Sequence, residues 1–228
     1  MIRKRKDVIT GFNRKGLEIG ISSVIAAAVG KIKHDFTVDG EFVGDIFHTF
    51  DILDLDGKNL ESKPLKDRLE SLKTIPTKGP IQMVPTVYGL AGKMAMLEAL
   101  RKLKREGIVF KKLSAAYRAG RAAAVASSTA IKHKFWETAS VLVKGQHEGK
   151  SSVTIQLYDH GKLTDVGHVT IAANQKMPPP GAVIEVRYLY AYKGGSLVQA
   201  TFIDVRDDID PPECTTDQLK WKVTEESE

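Results

Sequence analysis

The sequence holds one cysteine, Cys214, in 228 residues. That excludes an intrachain disulfide and a cysteine-based zinc centre, and a reducing cytoplasm is the expected compartment. No apolar run reaches the roughly 20 residues that a membrane-spanning helix needs. The longest candidate, Ile19 to Val29, is short and contains Ser22 and Ser23. The basic opening Met1–Asp7 is not followed directly by an apolar segment, so no secretory signal is expected, and no membrane partner. No internal repeat is visible.

What is present is enough for folded cores. Apolar residues make up 42% of the chain, which excludes a disordered tail, and the length fits one large domain or two small ones. Charge is unevenly spread. Residues 1–145 carry 26 Lys and Arg against 15 Asp and Glu, a net of +11; residues 146–228 carry 8 against 13, a net of −5. A basic half fits a polyanionic partner, nucleic acid being the commonest, or a solvated lysine-rich surface.

Along the chain, Val8–Phe12 reads as a strand and Asn13-Arg14-Lys15-Gly16 as a turn. Ile21–Val29 reads as a helix, Phe36–Val43 and Phe47–Leu55 as strands closed by the turn Asp56-Gly57. Leu65, Leu69 and Leu72 share one face of a helix over Pro64–Leu72, and Met94, Leu97, Leu100 and Leu103 align on another over Lys93–Arg105. Ile75–Val87 is extended, Ile108–Phe110 a short strand, Leu113–Thr129 a loop and Ile131–Val143 a strand. Alternating strands over Ser152–Leu157, Leu163–Ile171, Val183–Tyr192 and Leu197–Val205 fit a small antiparallel barrel, of which the OB-fold is one type. The division is expected between residues 145 and 146.

Four charged clusters fall at strand ends: Asp39-Gly40-Glu41, Phe50-Asp51-Ile52-Leu53, Glu106–Lys111 and Ile131-Lys132-His133-Lys134-Phe135. Alternation puts Lys132 and Lys134 on one strand face, where two ammonium groups repel unless an anion such as phosphate lies between them. Glu41 and Glu106 offer oxygens to a magnesium ion or to ribose hydroxyls. Phe50 offers a ring to stack on a purine. Arg118 and Arg121, in a basic loop, are candidate contacts to DNA phosphates. His48, His133, His160 and His168 show no metal-ligand spacing.

In this order the clusters resemble the motifs of the covalent nucleotidyltransferase superfamily, and within it the compact ATP-dependent DNA ligases. Asp39-Gly40-Glu41 resembles the third motif, His48-Thr49-Phe50-Asp51-Ile52-Leu53 with Asp56-Gly57 the aromatic motif after it, Glu106–Lys111 the fourth and Lys132-His133-Lys134 the fifth. Asn13-Arg14-Lys15-Gly16 is similar to the Arg loop that follows the nucleophile. Tyr188–Ala191, Gly195-Ser196-Leu197 and Arg206-Asp207-Asp208 resemble the OB domain and its last motif.

The resemblance implies an α+β fold: an ATP-grasp-like adenylation (nucleotidyltransferase) domain over 1–145, truncated at its N-terminus, then an OB-fold β-barrel over 146–228. It implies ATP (as AMP) and Mg2+ as cofactors, and nicked duplex DNA as the partner of a monomer. The roles it implies are phosphate or nick contact for Arg14, ribose for Glu41, adenine for Phe50, metal for Glu106 and Glu41, the α-phosphate for Lys132 and Lys134, and help in adenylation for Arg206. The nucleophile motif Lys-x-Asp-Gly is missing: Asp39-Gly40 and Asp56-Gly57 are preceded two positions earlier by Thr37 and Asp54. Relatives often carry Arg-x-Asp-Lys where this chain has Arg206-Asp207-Asp208-Ile209. The expectation is a ligase cut short before its nucleophile; the alternatives are an inactive nick- or nucleotide-binding module and an RNA ligase or capping relative.

Overall fold

Short alternating apolar runs give fourteen strands against three α-helices among the described residues. The computed structural model describes residues 1–119 and 129–223, which sort into two compact units. The first is formed by Met1–Tyr88 and the described part of Val109–Ile131; the second by Gly89–Ile108 and the described residues from Lys132 onward.

The first unit is one sheet carrying two helices. Strands β1 (Ile2–Arg5), β2 (Val8–Phe12), β3 (Glu18–Ile19), β4 (Phe36–Val43), β5 (Ile46–Leu55) and β6 (Lys58–Asn59) run in the order β3-β2-β1-β4-β5-β6, and β7 (Ile81–Met83) adds to β5 in parallel. β1 is an interior strand that its composition conceals. Ile2 is fully buried, and Lys4 is buried too, its ammonium donating to the His34 carbonyl at 3.3 Å with Asp35 at 3.8 Å. Helix α1 (Ser23–Gly30) starts where the Ser22 hydroxyl accepts from the Ile25 amide, and α2 (Leu65–Leu72) follows Pro64. Ile25, Val29, Leu65, Leu69 and Leu72 close the core against Phe36, Val38, Phe47 and Ile52.

The second unit holds helix α3 (Gly89–Lys102), which buries none of its residues. Its sheet is antiparallel, of β10 (Glu137–Gln146), β11 (Ser152–Asp159), β12 (Lys162–Thr170), β13 (Val183–Tyr188) and β14 (Thr201–Val205), ordered β12-β11-β10-β13-β14. β11 buries Val153, Ile155 and Leu157 in strict alternation. The chain changes units within a two-stranded ribbon, β8 (Gly107–Lys111) against β9 (Ala130–Lys134).

Three expectations change. The single strand over Ile131–Val143 is two strands in different sheets, split at Phe135-Trp136, where the Phe135 amide leaves to donate to the Glu106 carbonyl at 2.9 Å. The second sheet begins at Glu137, so the expected division between residues 145 and 146 falls inside β10. Among the described residues no ladder closes that sheet into a barrel: β12 and β14 are its edges, and Val166 of β12 accepts instead from the Leu197 amide of a loop, at 2.8 Å. No described helix is long and apolar enough to cross a membrane.

Candidate active site

The first unit's candidate residues gather where β4 and β5 pair irregularly. Glu41 lies opposite His48 and Asp39 opposite Asp51, so the register slips between Asp39 and Gly40 and Phe50 is the extra residue. A bulge of this kind re-aims side chains that strict alternation would fix. Asp39 is half-buried while Glu41, two residues on, is exposed. Only glycine fits at position 40, because a Cβ there would collide with the His48 carbonyl and the Phe47 ring.

On the buried side of the bulge, Asp51 forms a bidentate ion pair with Arg68: Nε donates to Oδ1 at 2.8 Å and Nη2 to Oδ2 at 2.9 Å. The side chains are 5% and 3% exposed, so the pair is withdrawn from solvent. Arg68 Nη1 also donates to the carbonyls of Lys63 and Ala115, and its guanidinium lies 5.8 Å from the Tyr117 ring centroid. Tyr117 donates its hydroxyl to Asp39 at 3.0 Å. Burial first, and then the Asp39 carboxylate, push that phenol well above its usual range. The Leu65 and Lys66 amides donate to Ala115 and Leu113, tying this segment to the start of α2.

Phe50 is half-buried, with the Lys111 ammonium 4.4 Å from its ring centroid. Lys111 is exposed as a residue, but its charged end is crowded. Desolvation lowers its pKa below the usual lysine value, and Asp51 and Asp39 oppose that shift. Arg14 stands apart on the exposed turn after β2, where Asn13 Oδ1 accepts from the Lys15 and Leu17 amides. Arg118 is exposed; Arg121 lies outside the described residues.

In the second unit Glu106 and Lys134 are neighbours. Beyond the Phe135-to-Glu106 bond, Gly107 packs so tightly that a Cβ would strike the His133 carbonyl and the Lys134 backbone. Burial, then Tyr192 and the Glu106 carboxylate, push the Tyr190 phenol above its usual range. Lys134 donates to Gln199 at 2.6 Å and lies 5.2 Å from the Trp136 ring, over which Arg187 also stacks at 4.7 Å. Lys132 is exposed. Buried Lys220 donates to the Phe135 carbonyl at 3.1 Å and faces Glu137 at 3.7 Å. Arg101, Lys134, Lys220 and Glu137 line a cavity of about 410 Å³ together with Phe135 and Trp136.

Arg206, at the end of β14, is gripped by Asp208 at 2.7 and 2.6 Å and by Glu185 at 3.5 Å. The guanidinium holds the Asp208 carboxyl down to about 2. Of the two proposed metal carboxylates, Glu41 lies in the first unit and Glu106 in the second. Among the described residues no group of three or more His, Cys, Asp or Glu could hold a metal ion. Sequence reasoning passed over Arg68, Lys111, Tyr117, Arg187 and Lys220. Only Lys111 carried a signal, as the last residue of the third cluster.

Residues 25–134 match the family model described as ATP dependent DNA ligase domain. That stretch, just under half of the chain, resembles an ATP-dependent DNA ligase domain. The match runs from within α1 to the end of β9 and so spans the bulge, the ribbon and the four clusters up to Lys134. Over 104 residues this chain is 38% identical to the multifunctional non-homologous end joining protein LigD of Mycolicibacterium smegmatis; the alignment takes in 46% of this chain and only 13% of that protein. A mycobacterial DNA ligase D complexed with ATP and MES has a similar fold (TM-score 0.51, 21% identity, covering 94% of this chain and 87% of that one). So does a Lig E DNA ligase (TM-score 0.62, 18% identity, 90% and 88%).

Proposed function

We propose that this chain seals nicks in duplex DNA as an ATP-dependent ligase, working as a monomer in the cytoplasm. The observation that carries the proposal is the packing of Gly107 on His133-Lys134. It sets the carboxylate-bearing Glu106 beside a strand with two lysines, within the stretch that matches the ligase domain. Sealing ends with attack of a 3′-hydroxyl on a 5′-phosphate already joined to AMP: a new P–O bond forms and AMP departs. Charge builds on the phosphoryl oxygens and the leaving phosphate, and cations fixed in place stabilise it. Lys132 and Lys134 supply that charge. Lys134 is held at one end by Gln199 and against Trp136, so little ordering remains to be done in the reaction.

The other roles follow the family resemblance. Phe50 stacks on adenine, and the ribose hydroxyls are accepted by Glu41. Arg14 takes a phosphate or the nick, Arg118 and Arg121 take DNA phosphates, and Arg206 assists adenylation once released from Asp208. Glu41 and Glu106 are hard oxygen donors of the kind Mg2+ takes; a bound Mg2+ would neutralise phosphate charge. The sheet beginning at Glu137 serves as the OB-type portion that follows the adenylation portion. An electrophoretic shift assay at low salt tests the binding side. The chain is expected to prefer nicked over intact duplex, with affinity falling steeply as salt rises. Equal affinity for both, or no binding, would remove DNA sealing as the function.

A further inference from the structure

The sheet of the second unit brings together two histidines that are far apart in the chain. His147 follows β10 directly, and His168 lies on β12 opposite Thr154 of β11. His147 Nε2 is 2.8 Å from His168 Nδ1, and the Thr154 hydroxyl is 3.1 and 3.3 Å from the same two nitrogens. The chain at His147 is fixed by its amide donating to the Ser152 carbonyl at 2.9 Å. We infer that His147 and His168, with Thr154 completing the face, form a binding site for a divalent transition-metal ion of the imidazole-preferring class, Cu2+, Ni2+ or Zn2+.

Geometry, charge and access all bear on this. Metal–nitrogen bonds of about 2.1 Å that meet at a right angle leave their nitrogens about 3 Å apart, close to the observed separation. The hydroxyl completes a compact triangle that an ion can cap, with its remaining positions open to water. His168 is exposed and His147 half-exposed, so an ion reaches them without any opening of the fold. Asp165, a carboxylate that interacts with His168, is already engaged by Lys144 at 2.9 and 3.1 Å and by Gln156 at 2.7 Å. The face is therefore neutral and nitrogen-rich, which favours these ions over Mg2+ or Ca2+. Because the ligands come from three neighbouring strand segments, a bound ion clamps β10, β11 and β12 together. The inference does not depend on ligase activity.

The test is titration of the whole chain with Cu2+ by calorimetry, with electron paramagnetic resonance on the product, and thermal melts with and without Zn2+. The site predicts one Cu2+ bound with two imidazole nitrogens, not displaced by millimolar Mg2+, and a melting temperature raised by Zn2+. His147→Ala and His168→Ala, both outside the core, should each weaken Cu2+ by more than about tenfold and abolish the Zn2+ shift while leaving the metal-free melt unchanged. Equal Cu2+ affinity in wild type and His168→Ala, or a folded wild type that binds no Cu2+, would overturn the site.

Discussion

Removing the Arg68 guanidinium should cost the first unit more than any exposed substitution. Arg68→Ala leaves Asp51 charged, 5% exposed and without its partner, and removes donors from the Lys63 and Ala115 carbonyls. Breaking a buried pair from one side costs about 3–5 kcal/mol, and each carbonyl that loses its partner adds about 1 kcal/mol or more. At about 2–4 °C of melting temperature per kcal/mol for a chain of this size, Arg68→Ala should lower the melt by roughly 10 °C or more. The pair itself is isolated by a double-mutant cycle. Asp51→Leu with Arg68→Leu leaves no buried charge, so the double variant should be more stable than the sum of the two single losses by about 2 kcal/mol or more. The assay is urea unfolding followed by circular dichroism for the wild type, Arg68→Ala, Asp51→Leu, Arg68→Leu and the double variant. An Arg68→Ala loss below about 1 kcal/mol, or strictly additive single losses, would refute the claim that this pair ties the 111–117 segment to β5.

Three further outcomes are expected. Gly107→Ala forces a Cβ into the His133 carbonyl; overpacking of this order costs about 1–3 kcal/mol and should displace Lys134, so sealing should fall at least about tenfold while Gly20→Ala, in open space, changes sealing little. Asp208, held down to about 2 by Arg206, has a native pKa below its unfolded value, so the ion pair favours the native state above about pH 4 and is lost as pH falls through about 2; NMR titration of the Asp208 carboxyl should return its midpoint to the ordinary aspartate range in Arg206→Ala. The Cys214 thiol, fully buried and pushed up to about 11 mainly by that burial, should resist a disulfide reagent at pH 8 in the native protein and react at once in urea.

Local pattern carried most of the fold. β4 was legible residue for residue over Phe36–Val43, and a helix was readable over Ile21–Val29, where α1 forms. β1 was not, since Ile2-Arg3-Lys4-Arg5 buries a lysine whose partners, His34 and Asp35, lie some thirty positions on. Continuous β-character hid the break at Phe135-Trp136, because it is made by a hydrogen bond to Glu106 rather than by a turn residue. The candidate site divided in the same way. Glu41, Phe50, Glu106, Lys132 and Lys134 form short runs that can be read in sequence. Arg68 and Tyr117 matter only because the fold brings them to Asp51 and Asp39. Strict alternation also says nothing of a bulge, so Phe50 as the extra residue of β5 emerged only from the register. His147, just after β10, and His168, on β12, had no spacing to give them away.

The central claim, nick sealing with Lys134 among the phosphate-facing groups, is tested most directly on a nicked duplex whose 5′-phosphate already carries AMP. This substrate needs only the last chemical step. The chain is expected to join the strands and release AMP, Lys134→Ala to slow joining by about 100-fold or more, and Arg14→Ala to leave the fold intact. A well-folded chain that binds the adenylated nick and does not seal it, or a Lys134→Ala variant that seals at the wild-type rate, would contradict it.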